Sequence, residues 1–140
     1  MSLVYFDTSA LLKLCLPEAG SQLAARLWQG ASATLVSRLS DAEGRCALAA
    51  GRRAGWLNNQ QFSQALEHWE SLWPACYVVE LSPAVSQLAA KLAGQFPLRG
   101  GDAIQVASAA QLGPAVIVAS WDSPVQKAAA GSGLNVVPRV

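Results

Sequence analysis

Charge is what this 140-residue chain has least of: Lys, Arg, Asp and Glu together make up only 14% of it. Ten basic residues against nine acidic ones leave a formal net charge of +1. Bulk attraction to a polyanion is therefore no argument here, and a nucleic-acid role requires a local basic patch. Histidine occurs once, as His68 between Glu67 and Trp69 on an amphipathic stretch, and reads as a surface residue. No Ser-His-Asp arrangement competes. Cys15, Cys46 and Cys76 are odd in number, widely spaced and set among apolar residues. That argues against a disulfide framework or a zinc site and for buried free thiols in a reducing cytoplasm. No apolar run approaches the ~20 residues needed to span a bilayer. The N-terminus lacks a basic region followed by an apolar core and cleavage site, so no signal peptide is expected. The glycine pairs carry no phosphate-loop Lys-Ser/Thr signature, and Asp7-Thr8-Ser9 lacks the second aspartate of an Asp-x-Asp phosphatase.

What the chain does have is a hydrophobic content of 52%. Residues 1–140 fit a single domain long enough to bury a real core. A lean charge complement also goes with a buried oligomer interface or a permanent partner. Continuously apolar runs read as strands at 3–6, 33–37, 77–81, 115–120 and 134–137. Helical patterns fall at 8–16, 20–29, about 39–55, 58–73, 83–95, 102–112 and 122–130. Strands that alternate with helices and are apolar throughout predict a mostly parallel sheet covered on both faces, a three-layer α/β/α sandwich.

Eight of the nine acids then separate into two groups. Glu18, Glu67, Glu70 and Glu80 read as solvated surface. Asp7 ends the first strand, and Asp122 follows the strand that contains Val116 to Ser120. In an open parallel sheet such positions line the crevice at the carboxyl edge, where ligands bind. Asp102 begins a helix of small apolar residues. Glu43 has Cys46, Ala47 and Ala50 at i+3, i+4 and i+7, which places it on the inward stripe of its helix. Apart from Arg99 near Asp102, no basic residue accompanies these acids at helical spacing. Burying unpaired charge is costly, and a divalent cation is the economical neutraliser. Oxygen-only ligation suits Mg²⁺ or Mn²⁺. Four crowded carboxylates also predict at least one raised pKa in the metal-free state. The alternative is helix capping. Asp7, Asp102 and Asp122 all sit at helix starts, and Ser40-Asp41-Ala42-Glu43 fits a capping box. Capping and metal binding are compatible.

These residues form a pattern. Phe6-Asp7-Thr8-Ser9-Ala10-Leu11-Leu12-Lys13-Leu14 resembles the opening motif of PIN domains, in particular VapC-type toxins. Ser37 to Glu43 is similar to the second motif, a serine ahead of an essential glutamate. Leu98 to Ala109, with Asp102-Ala103, resembles the third, and Ser120-Trp121-Asp122 the fourth. The likeness spans nearly the whole chain in order. Two positions depart from it: Gln105 stands where the third motif often has histidine, and Ser120-Trp121 where the fourth often has threonine and phenylalanine.

The resemblance implies a Mg²⁺- or Mn²⁺-dependent ribonuclease with catalytic Asp7, Glu43, Asp102 and Asp122. Asp7 and Asp102 are the principal metal ligands it implies, with Asp122 and Glu43 completing the cluster directly or through water. Ser9 and Ser120 are candidates to orient carboxylates, or simply capping hydroxyls. Lys13, Arg38, Arg45 and Arg99 lie near the acid motifs and are candidates for RNA phosphate contact. The five tryptophans read as core or interface anchors, with the 56–73 segment a candidate partner surface. An antitoxin and a homodimeric state are the partners the likeness implies. Two rival readings remain: a PIN-fold nuclease acting on other nucleic acid, and a non-catalytic Mg²⁺-binding signalling module. Receiver-like sites of the latter class pair two adjacent acids with a downstream lysine, and no such pair precedes the first helix.

Overall fold

The computed structural model describes residues 2–140. Strands β1 (Leu3–Phe6), β2 (Ala33–Ser37), β3 (Cys76–Val79), β4 (Ile117–Ala119) and β5 (Asn135–Val137) form one sheet, and every adjacent pair in it is parallel. Their order is β3-β2-β1-β4-β5. Parallel neighbours need long crossovers, and helices α1 (Thr8–Cys15), α2 (Ser21–Gly30), α3 (Leu39–Arg53), α4 (Asn59–Leu72), α5 (Pro83–Ala93), α6 (Gly100–Ala110) and α7 (Ser123–Gly131) supply them.

Strand alternation decides which helices go where. Val4 and Phe6 of β1, Val36 of β2 and Ala119 of β4 point to one face, into a core with Ala10, Leu11, Leu48, Ala65, Trp69 and Leu72 from α1, α3 and α4. Tyr5 and Val118 point to the other, into a core built from α5, α6 and α7. Two separate cores on opposite faces of one sheet make the three layers that the apolar strands predict. β1 lies at the centre, and the chain leaves it for β2 on one side and returns as β4 on the other. The carboxyl ends of β1 and β4 therefore flank the crevice where an open α/β sheet binds ligands.

Local chemistry sets several element ends. Asn58 accepts from the Gln61 N–H at 2.8 Å while the Gln61 side chain accepts from the Asn58 N–H at 2.9 Å, a full capping box for α4. Ser82 caps α5, whose first residue is Pro83.

Three sequence expectations are corrected. α6 begins at Gly100, so Asp102 is its third residue, not its first. The buried stripe of α3 is Ser40, Gly44, Leu48 and Gly51, not Glu43, Cys46, Ala47 and Ala50. Trp69 of α4 explains the second point. Its indole packs against Gly44, where an added Cβ would lie 2.2 Å from ring carbons. The buried phase of α3 thus runs through its glycines, which a count of hydrophobic residues overlooks. Cys46 is consequently exposed rather than buried; Cys15 and Cys76 are half-buried, and all three are free thiols. Of the 56–73 tryptophans, Trp69 is core, Trp73 packs beside it and Trp56 alone is highly exposed.

Candidate active site

Asp7 ends β1 and caps α1, accepting the Ala10 N–H at 2.9 Å. The same oxygen, Oδ1, accepts from Ser9 Oγ at 2.6 Å, and Oδ2 accepts from Ser120 Oγ at 2.5 Å. Both serines also bind the strand-end loop after β4. Ser9 Oγ accepts the Trp121 N–H at 2.8 Å and Ser120 Oγ accepts the Asp122 N–H at 3.1 Å. Capping and site formation therefore coexist at Asp7. Its carboxylate is only 2% exposed. Burial pushes its pKa up to about 6 against three hydrogen bonds that hold it down, and the Asp122 charge adds to the rise.

Asp122 is the N-cap residue of α7, yet its side chain makes no cap bond. It is turned to Asp102. Burial, the Asp102 charge and a hydrogen bond with Asp102 raise its pKa, Glu43 adds to this, and Arg99 opposes it. Asp102 in turn accepts the Arg99 backbone N–H at 3.2 Å. The raised carboxyls expected from crowding are thus present at Asp7 and Asp122, with burial the larger cause at both.

Glu43 is no capping-box residue. α3 starts at Leu39 with Arg38 as its cap position and no side-chain cap bond, and Ser40 is buried. Instead Glu43 Oε1 accepts from Thr8 Oγ1 at 2.7 Å and from Gln105 Nε2 at 2.9 Å. Gln105 is itself buried, and its Oε1 accepts from Tyr5 Oη at 2.6 Å. Its Nε2 also lies 2.9 Å from Ser40 Oγ. Sequence reasoning gave no site role to Thr8, Ser40, Gln105 or Tyr5: Gln105 it marked only as a departure from the third motif, and Ser40 only as a helix cap. The available signal was parity: Tyr5 and Gln105 are polar groups on otherwise apolar, inward-facing positions, which need a buried partner.

Asp7, Glu43, Asp102 and Asp122 line a single cleft of about 430 Å³ with Thr8, Ser9, Gln105 and Trp121. Among the described residues no three acids converge closely enough to cage a cation unaided. Oxygen donors held in one cleft, with the Asp102 charge close enough to raise the Asp122 pKa, fit an ion that keeps several waters and takes one or two carboxylates, as Mg²⁺ does. The cations sort differently. Arg38 forms a bidentate pair with Glu80 at 2.7 and 2.8 Å, and Arg45 pairs with Asp41 at 2.9 Å and Glu70 at 3.7 Å, all on exposed surface. Lys13 pairs with Glu18 at 3.1 Å and lies over the Trp121 ring. Arg99 is exposed, has no ion pair among the described residues, and its charge opposes the rise of the Asp122 pKa. Next to the cleft an apolar groove of about 530 Å³ runs between α1 and α3, lined by Leu12, Leu16, Leu48, Trp56, Leu57 and Trp121.

A PIN domain family model matches residues 4–125. The chain belongs to the PIN domain family. This PIN domain is 45% identical over 139 residues to Ribonuclease VapC45 of Mycobacterium tuberculosis, covering 99% of this chain and 96% of that protein. Its fold is shared with FitAcB from Neisseria gonorrhoeae, at TM-score 0.70 and 20% identity over 95% of each chain. It is also shared with VapBC-5 of Mycobacterium tuberculosis, a member of the VapBC family of toxin–antitoxin systems, at TM-score 0.64 and 16% identity over 100% of each chain. Among the described residues no helix is long and apolar enough to cross a membrane.

Proposed function

We propose that residues 1–140 act as one metal-dependent endoribonuclease unit that hydrolyses RNA phosphodiester bonds, the toxin of a toxin–antitoxin pair. The observation that carries the reading is the convergence of Asp7, Glu43, Asp102 and Asp122, drawn from four separate elements, on one cleft. The 45% identity to a VapC ribonuclease supports RNA as the substrate.

Asp7, Asp102 and Asp122 are the residues we assign to hold Mg²⁺ or Mn²⁺, with Glu43 beside them. Bound there, such an ion supplies charge neutralisation at the phosphate and water of lowered pKa. The protein's own contribution is preorganisation. Ser9, Ser120 and the Ala10 N–H lock Asp7 at one end of the cleft. Thr8 and Gln105 lock Glu43 at the other. Neither carboxylate has to reorganise when substrate arrives, and this is where fixed sites gain most. We assign to Glu43 the acceptance of a proton from an attacking water and to Arg99 contact with a backbone phosphate.

A chain this poor in charge presents apolar surface to partners. We assign the groove beside the cleft to an antitoxin segment and the exposed Tyr77 and Leu81, at the β3 edge of the sheet, to a homodimer contact. An RNA substrate and free thiols fit a cytoplasmic setting. The test is growth arrest and RNA cleavage on expression, alongside Asp7→Asn and Asp102→Asn. Arrest that requires both acids and cleavage that chelation stops support the reading. Unchanged arrest and cleavage in both variants overturn it.

A further inference from the structure

The buried polar chain behind Glu43 does more than fill space. Tyr5 lies on the centre strand, its hydroxyl fully buried and kept protonated by that burial. It donates to Gln105 Oε1, which fixes the amide so that Nε2 faces α3. Nε2 donates to Glu43 Oε1, where Thr8 Oγ1 also donates. Both bonds fall on the same carboxylate oxygen. The other oxygen, Oε2, accepts no hydrogen bond among the described residues and lies over Gly101, where an added Cβ would stand 2.7 Å from it. α6 therefore places Asp102 in the cleft and, with the residues on either side of it, also sets Glu43. Gln105 grips one oxygen and Gly101 leaves room for the other.

We propose that Gln105, anchored by Tyr5, is a positioning residue for the Glu43 carboxylate, holding Oε1 so that Oε2 stays free for the reaction. The inference rests on the reading of Glu43 as part of the hydrolytic site. A neutral amide suits this task, because its donor end meets Glu43, its acceptor end meets Tyr5, and the amide itself does not titrate.

The test combines kinetics and NMR on the full chain. With Mn²⁺ and RNA (a random-sequence single-stranded pool and intact ribosomal and transfer RNA), Gln105→Met removes the donor at similar volume. It should lower kcat about tenfold to hundredfold with KM within twofold, as expected for a misplaced group rather than lost binding. Gln105→His restores a donor and an acceptor and should recover most of that loss. In a Glu43→Gln background, Gln105→Met should cost nothing further. Independently of activity, the Gln105 side-chain amide protons should resonate apart in the wild type and move together in Tyr5→Phe and in Glu43→Gln. Additive losses, or amide signals indifferent to both substitutions, overturn the proposal. Should Glu43→Gln abolish cleavage while Gln105→Met does not slow it, the positioning role alone fails. Full cleavage by Glu43→Gln would sink the reading of Glu43 itself, and the proposal with it.

Discussion

Ser120, at the end of β4, donates a 2.5 Å hydrogen bond to Oδ2 of Asp7, at the end of β1, joining residues 113 positions apart. That bond stabilises the ionised form of a carboxylate that burial makes costly to ionise. Ser120→Ala should therefore raise the Asp7 pKa further. If Asp7 is a metal ligand, Mn²⁺ affinity at neutral pH should fall about tenfold, the usual effect of losing a partner that orients a ligand. Titration calorimetry measures the affinity and carbon-detected NMR the pKa. Unchanged values in both would remove Ser120 from the site.

The pH dependence of stability has a definite sign. The Asp7 pKa is about 6 in the folded chain against 3.8 when unperturbed. Between those values the folded chain holds a proton that the unfolded chain has lost, so this group's contribution to stability falls as pH rises from about 4 to about 6. Asp41 and Glu80 are lowered and act in the opposite direction, but both are substantially exposed and count for little. Comparison with Asp7→Asn isolates the buried acid. Without metal, the variant should gain on the wild type as pH rises, by on the order of 3 kcal/mol above pH 6, and the gain should shrink towards pH 4. Urea melts at pH 4, 5, 6 and 7 measure it. A difference independent of pH would show that burial does not perturb Asp7. Cation binding should weaken as pH falls through about 6, since ligation requires the deprotonated acid.

Arg99, and not Arg38 or Arg45, should carry phosphate contact. Arg38 and Arg45 are held by Glu80, Asp41 and Glu70 on exposed surface, whereas Arg99 has no ion pair among the described residues and its charge reaches Asp122. Arg99→Ala should raise KM for RNA several-fold and flatten its salt dependence, with kcat nearly unchanged. Arg38→Ala and Arg45→Ala should leave both within twofold. A KM rise confined to the latter pair would move the RNA path to the exposed face of the first half of α3.

What could be read from residues alone was whatever depends on local order. Apolar strands followed by aspartate, at once for Asp7 and after two further residues for Asp122, located both acids at the sheet's carboxyl edge, because strand direction and crossover handedness leave few alternatives. The capping-box reading of Ser40 and Glu43 failed because their partners, Thr8 and Gln105, are 35 and 62 residues from Glu43 and no local pattern reveals them. The inward stripe of α3 was misphased for a related reason. Its buried face is made by what it lacks, a Cβ at Gly44, and the indole that needs that space belongs to α4. Tertiary contact decided both points.

That packing leads to the last expectation. Gly44 follows Glu43 directly, and a Cβ there would stand 2.2 Å from the Trp69 ring carbons, too close for a small local adjustment. Trp69 cannot easily swing away, since it is fully buried and its Nε1 donates to Asp41 at 2.9 Å. Gly44→Ala must therefore push α3 and α4 apart, at a cost of about 1–3 kcal/mol for an overpacked core. The shift carries Glu43 away from Thr8 and Gln105, so kcat should fall even at temperatures where the variant remains folded. Trp69→Phe alone loses an indole hydrogen bond and leaves a cavity, so it too should destabilise. Combined, the smaller ring makes room for the new methyl, and the double variant should be more stable than the sum of the two losses. Urea melts of the three variants measure the coupling, and single-turnover cleavage shows whether Glu43 returns with it. Strict additivity in stability would mean that the α3–α4 contact at Gly44 does not set the position of Glu43.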